Sequence, residues 1–141
     1  MPRRTTRTPS ASAPDVFLFL DGRLRPAERA GEFRFELAGV ACRLTAYRLA
    51  AAVIDPDDTS VFLPFLDGTS GTDTYGAGRY LDLEPDEDGT WTIDFNLAYH
   101  PSCVYDPRFS CPLTPAENRL AVRVEAGERL GCARPVFVKL A

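Results

Sequence analysis

The chain has 141 residues, a formal net charge of −4, 45% apolar and 26% charged residues. This is globular composition at the length of one domain, too short for two ordinary ones. No run approaches the roughly 20 apolar residues of a membrane span, and the acidic balance argues against a general nucleic-acid binder. Neither a membrane nor a nucleic acid is therefore expected as a partner.

Residues 1–14, MPRRTTRTPSASAP, are polar and rich in Arg, Ser, Thr and Pro, and read as a disordered tail ahead of one β-rich domain over 15–141. The tail has no apolar core of a secretion signal, so a cytoplasmic location with reduced thiols is expected. Val16 to Leu20 reads as a strand, turned by Asp21-Gly22 into a partner that includes Leu24. In Gly31 to Leu37, Phe33, Phe35 and Leu37 alternate with Glu32, Arg34 and Glu36, a strand with one wet face. Ala38-Gly39 turns the chain, and Cys42, Leu44 and Ala46 resume the alternation, which makes Cys42 a core residue. Residues 49–54 fit either a helical turn or a short strand, and Asp55-Pro56-Asp57-Asp58 is a turn.

Val61 to Phe65 is a further strand in which Pro64 implies an edge or an irregularity. A long loop of small residues, 67–78, leads into a strand over Arg79 to Leu83, and Asp86 to Gly89 forms a turn. From Trp91 to Tyr99 the period-2 alternation is strong, with Trp91, Ile93, Phe95, Leu97 and Tyr99 on one face. Thr114-Pro115-Ala116-Glu117 matches a capping box and predicts a single helical turn near 114–118. Leu120, Val122 and Val124 alternate on another strand, and Pro135 to Leu140 is the last. Many short strands and no long helix predict an all-β fold, an antiparallel barrel or sandwich built from hairpins.

Three segments concentrate the unusual residues: Asp67 to Tyr80, Asp94 to Tyr105, and Cys111 to Arg119. Arg79 offers a planar five-donor fork for an anion, Asp94 and Glu117 offer carboxylates for proton transfer, and Tyr75, Asn96, Tyr99 and Asn118 offer hydrogen-bonding groups around them. If these converge, Asp94 and Glu117 are the candidate catalytic pair, and the other five line a pocket for a small polar or anionic ligand. The structural alternative is a buried ion-pair network in which Arg79 pairs with Asp94 and Glu117 completes its capping box. His100, Cys103 and Cys111 form a third set, with one imidazole and two thiols in a short stretch. Soft ligands of this kind suit zinc, copper or iron, as a binding site or a metalloenzyme centre. The same two cysteines could instead close a disulfide staple in a non-catalytic module, or Cys103 could act as a nucleophile beside His100.

The run Phe65-Leu66-Asp67-Gly68-Thr69-Ser70-Gly71, followed by Thr74-Tyr75-Gly76-Ala77-Gly78-Arg79-Tyr80-Leu81-Asp82-Leu83, carries a family resemblance. So do Asp94-Phe95-Asn96, Ala98-Tyr99, Cys103, Cys111-Pro112-Leu113, Glu117-Asn118-Arg119-Leu120 and Glu125-Ala126-Gly127-Glu128. Over roughly residues 31–130 the chain resembles the bacterial and archaeal family called domain of unknown function 1684. The resemblance implies a mostly β fold and a shared site in these segments, and brings no reaction with it. Members commonly have Asn where this chain has His100.

Overall fold

The computed structural model describes residues 2–8, 14–49 and 57–130. Seven strands follow in chain order: β1 (Pro2–Thr8), β2 (Pro14–Leu18), β3 (Leu24–Leu37), β4 (Val40–Leu49), β5 (Val61–Phe65), β6 (Arg79–Leu83) and β7 (Trp91–Asp94). Every ladder is antiparallel, and the sheet runs β6-β5-β4-β3-β1-β7. The strand β3 is long enough to take two partners on one edge, β2 on its first half and β1 on its second. The expected antiparallel all-β fold is therefore what forms, and the expected hairpins at Asp21-Gly22 and Ala38-Gly39 are both present. The sheet curls without closing. Past β7 the chain returns to β6 at a single bridge, Tyr80 to Tyr99.

Residues 2–8, read from the sequence as part of a disordered tail, form β1 between β3 and β7. A polar strand is held there by main-chain pairing on both edges, which needs no apolar pattern. The expected last strand over 135–140 lies outside the described residues, as do residues 50–56.

Two apolar clusters occupy the two faces of the sheet. The larger joins Phe33, Leu44, Leu63, Phe65, Leu81, Trp91, Ile93 and Phe95. The smaller, on the other face, joins Phe17, Ala27, Tyr47, Phe62 and Tyr80. Because both faces are covered, β5 is buried at every position and β4 is buried continuously from Leu44 to Tyr47. That is why Thr45 and Tyr47, on the predicted wet face of β4, are inside. Cys42 is half-buried against the larger cluster, and its thiol donates to the Val40 carbonyl.

Two predicted strands end differently. The strand from Trp91 stops at Asp94, because the Asp94 carboxylate accepts from both the main-chain N–H and the side-chain amide of Asn96, each at 3.0 Å. This local bond competes with ladder pairing and starts a 3-10 turn over Phe95–Leu97. Leu97 is consequently 68% exposed rather than in the core. The segment 119–128 keeps its apolar alternation, with Leu120 and Val124 buried, but joins no ladder. It lies beside Leu66 to Gly68 through isolated main-chain bonds, Leu120 N–H to Leu66 O and Gly68 N–H to Val122 O.

A buried arginine clamp and a cleft over His100

Arg79 begins β6, where the alternation of the strand turns its side chain toward the larger core. It is 1% exposed and lies over the Phe65 ring. A charge in that position needs partners. Nη1 donates to the carbonyls of Ala126 (2.8 Å) and Glu128 (3.1 Å), and Nη2 donates to Val124 O (2.9 Å). Nη2 also lies 3.5 Å from the Asp67 carboxylate, which is equally buried. Asp67 in turn accepts from the N–H of Val124 (2.6 Å) and from the Thr69 hydroxyl (3.0 Å). The pair thus clamps the ladderless segment 124–128 to the loop that precedes β6. Burial lowers the pKa of Arg79, and Asp67 opposes that effect.

The structural alternative posed for Arg79 is the arrangement found, but with Asp67 as its carboxylate in place of Asp94. Asp94 caps the 3-10 turn. Glu117 is bound to the Tyr47 hydroxyl and sits 2.9 Å from Arg29. The predicted capping box is not made, since Pro115 occupies the cap position of the turn Ala116–Asn118 without a side-chain bond. Asp94 and Glu117 therefore do not form a catalytic pair around Arg79. Asn96 is exposed at the 3-10 turn. Asn118 is fully buried and does a backbone's work between β4 and β5. Its amide donates to Thr45 O and Pro64 O (2.8 Å each), and its Oδ1 accepts from Thr45 N–H at 3.0 Å. Among the described residues these two strands pair at Tyr47 and Phe62 alone, and Pro64 has no N–H to offer, so the side chain completes the junction. The irregularity expected at Pro64 is this one.

His100 follows the Tyr99 bridge and is buried. The N–H of Tyr75 donates to Nε2 at 3.3 Å, which places the ring proton on Nδ1. Nδ1 lies 2.9 Å from the Tyr105 hydroxyl and 3.2 Å from Glu128 Oε1. Glu128 Oε1 also accepts from the Tyr105 hydroxyl (2.9 Å) and from the His100 main-chain N–H (2.7 Å). Burial holds the His100 pKa below its ordinary value, with Glu128 opposing. Both ring nitrogens are engaged, so the imidazole is not offered to a metal. Among the described residues no three of His, Cys, Asp and Glu come together as a ligand set. The expected zinc, copper or iron site at His100, Cys103 and Cys111 is thus not formed. The two thiols instead lie close enough to influence each other's ionisation, and Tyr75 stands beside Cys103. Both cysteines are free thiols, and burial pushes the Cys103 thiol up.

Above the His100–Tyr105–Glu128 group lies a cleft of about 550 Å³, walled by Tyr99, Ser102, Asp106 and Phe109. Tyr99 donates its hydroxyl to Asp82 and keeps its ring 36% exposed, while Phe109 is 52% exposed. Of the residues expected at a site, Tyr99 and His100 belong to this cleft, and Tyr75 stands behind it through its N–H. Tyr105, Phe109 and Glu128 were not expected. Tyr105 closes the second unusual segment and Glu128 ends a motif of the family resemblance, but they lie in irregular segments whose convergence no periodicity signals. Glu128 is brought in by the Arg79 clamp, and Gly127 before it admits no side chain. A Cβ there would come within 2.7 Å of Phe95 O and 2.9 Å of Ala98 Cβ.

Fold and site together define a small antiparallel all-β protein with a clamped C-terminal arm beside a half-open cleft. The chain belongs to the family described as protein of unknown function DUF1684, whose sequence model matches residues 4–129. It is similar to the solution NMR structure of an uncharacterized protein of Haloarcula marismortui, with 38% identity over 94% of this chain and 72% of that one, and a TM-score of 0.74. No curated protein matches the chain. Among the described residues no helix is long and apolar enough to cross a membrane.

Proposed function

We propose that this chain binds a small polar molecule in the cleft over His100, Tyr105 and Glu128. The observation that carries the reading is the cleft itself: about 550 Å³, with exposed aromatic rings facing a hydrogen-bonded carboxylate. That combination, apolar walls with a few convergent polar groups, is what small-molecule sites present. The buried imidazole positions Tyr105 and Glu128 rather than meeting a ligand, since its ring is covered and bonded on both sides. The charge of the cleft disfavours the anionic ligand that Arg79 suggested, because Arg79 is consumed by the clamp. A thermal-shift screen of small metabolites should yield stabilising compounds whose binding perturbs the NMR signals of residues 99–109 and 128. Phe109→Ala should weaken them. Hits whose signals map only elsewhere would refute the cleft as the site.

A second reading rests on the Cys103–Cys111 contact. Two free thiols near enough to raise each other's pKa support a disulfide staple under oxidising conditions, closing the loop that carries Tyr105, Asp106 and Phe109.

A further inference from the structure

The cleft holds two carboxylates, and their circumstances differ. Asp106 is paired: the Arg108 guanidinium lies on it, with Nη2 at 2.7 Å from Oδ2. Glu128 has hydrogen-bond donors but, among the described residues, no Lys or Arg in salt-bridge contact. Its Oε1 collects the N–H of His100 and the hydroxyl of Tyr105, both uncharged donors. His100, its only ion-pair partner among the described residues, is neutral at pH 7, because burial lowers its pKa and Nε2 accepts a main-chain bond. Among the described residues the nearby cations are bonded to other groups, and Arg79 attracts the Glu128 carboxylate only at longer range. Arg79 is taken by Asp67 and three carbonyls, and Arg129 pairs with Asp73 and Glu125. Oε2 of Glu128 has no partner among the described residues, and Glu128 is only 15% exposed, so water compensates its charge poorly. Among the described residues no Lys or Arg side chain lines the cleft, whereas two partly exposed aromatic residues do, Tyr99 and Phe109.

Resting on the cleft as the binding site, we infer that its ligand is a protonated amine with an apolar or aromatic body, its ammonium group held by Glu128 and its body lying against Tyr99 and Phe109. An ammonium supplies what the cleft lacks. It carries a donor for Oε2 and a positive charge for the carboxylate, and an aromatic face attracts the same cation. A carboxylate ligand would meet Glu128 and Asp106 with like charge. A neutral alcohol would satisfy Oε2 but leave the charge uncompensated.

Three probes of nearly one shape separate these cases: benzylamine, benzyl alcohol and benzoate. Each is titrated into the full chain at pH 7, and binding is followed through the amide signals of residues 99–109 and 128. Benzylamine should bind at least about tenfold more tightly than benzyl alcohol, a difference of about 1.4 kcal/mol, with benzoate weakest. In Glu128→Gln, which keeps an oxygen for His100 and Tyr105, benzylamine should fall to the level of the alcohol. If benzyl alcohol or benzoate binds in the cleft as tightly as the amine, the amine assignment is overturned while the site stands. A folded Glu128→Gln that keeps the amine preference overturns it too. If none of the three probes moves the cleft signals, the binding site itself is refuted and the inference falls with it. Should Glu128→Gln fail to fold, the comparison of the three probes on the native chain decides alone.

Discussion

At the scale of single residues, two buried groups govern what the protein tolerates. Arg79 makes its bonds with a rigid fork, three to main-chain carbonyls and one to Asp67. A lysine ammonium cannot span that set. Arg79→Lys should therefore lower stability by about 2 kcal/mol, and Arg79→Ala by about 3 to 5 kcal/mol, since Asp67 is then left buried and unpaired. Urea denaturation measures both, and a variant as stable as the native chain would contradict the clamp. His100 sets a pH dependence of definite sign. Its pKa in the fold lies below the unfolded value of 6.5, so the unfolded chain takes up the proton first as pH falls. The stability it contributes is complete above about pH 6.5 and is lost as pH drops through the folded value. His100→Asn keeps a donor and an acceptor but cannot titrate. Melting temperatures from pH 7.5 to pH 5 should fall more steeply for the native chain than for this variant, and parallel curves would exclude His100 as the source.

At the scale of elements, the hairpins were legible and the junctions were not. The apolar run before Asp21-Gly22 located β2, and period-2 alternation on either side of Ala38-Gly39 located the second half of β3 and β4, whereas the continuity of β3 from Leu24 to Leu37 leaves no local mark. The end of β7 was missed because one Asx-type bond at Asp94 outweighs an alternation that continues to Tyr99. The partner of Arg79 was misassigned for a related reason. Asp67 lies in a loop without periodicity, and only the folded chain brings it to β6. The sequence suggests Asn118 as a ligand-binding residue, but its task, joining β4 to β5, depends on two strands distant from it in sequence. Asn118→Ala should cost about 3 kcal/mol, because Thr45 N–H, Thr45 O and Pro64 O all lose a buried partner. Urea titration reads the loss, and faster hydrogen exchange at the Thr45 amide should place it at this junction. The β3–β4 turn holds the opposite opportunity. Ala38 adopts a φ of 53°, a left-handed conformation that Asn tolerates better. Ala38→Asn creates the favoured Asn-Gly hairpin turn and should raise stability by about 0.5 to 1 kcal/mol, detectable as a higher melting temperature.

At the scale of the molecule, the cleft is made by segments that share no ladder with each other, the loop 102–111 and the arm 124–128. Oxidation by a small-molecule disulfide should join Cys103 to Cys111. In so short a loop the bond should add about 2.5 kcal/mol. Thiol titration with a melt in oxidised and then reduced glutathione tests this. Unchanged thiol counts, or a gain that survives Cys111→Ser, would argue against the staple. The clamp on the arm has a different consequence. Arg79 grips the arm almost entirely by carbonyl oxygens, and every residue type carries the same carbonyl. That grip does not depend on the side chains the arm displays, whereas Val124 is buried in the larger cluster, Gly127 has no room for a Cβ and Glu128 accepts from the His100 N–H. A protein built this way keeps its main-chain grip on residue 128 whatever side chain stands there, so exchanging Glu128 alters the chemistry presented to a ligand and the bonds to His100 and Tyr105 but leaves the clamp's own bonds in place.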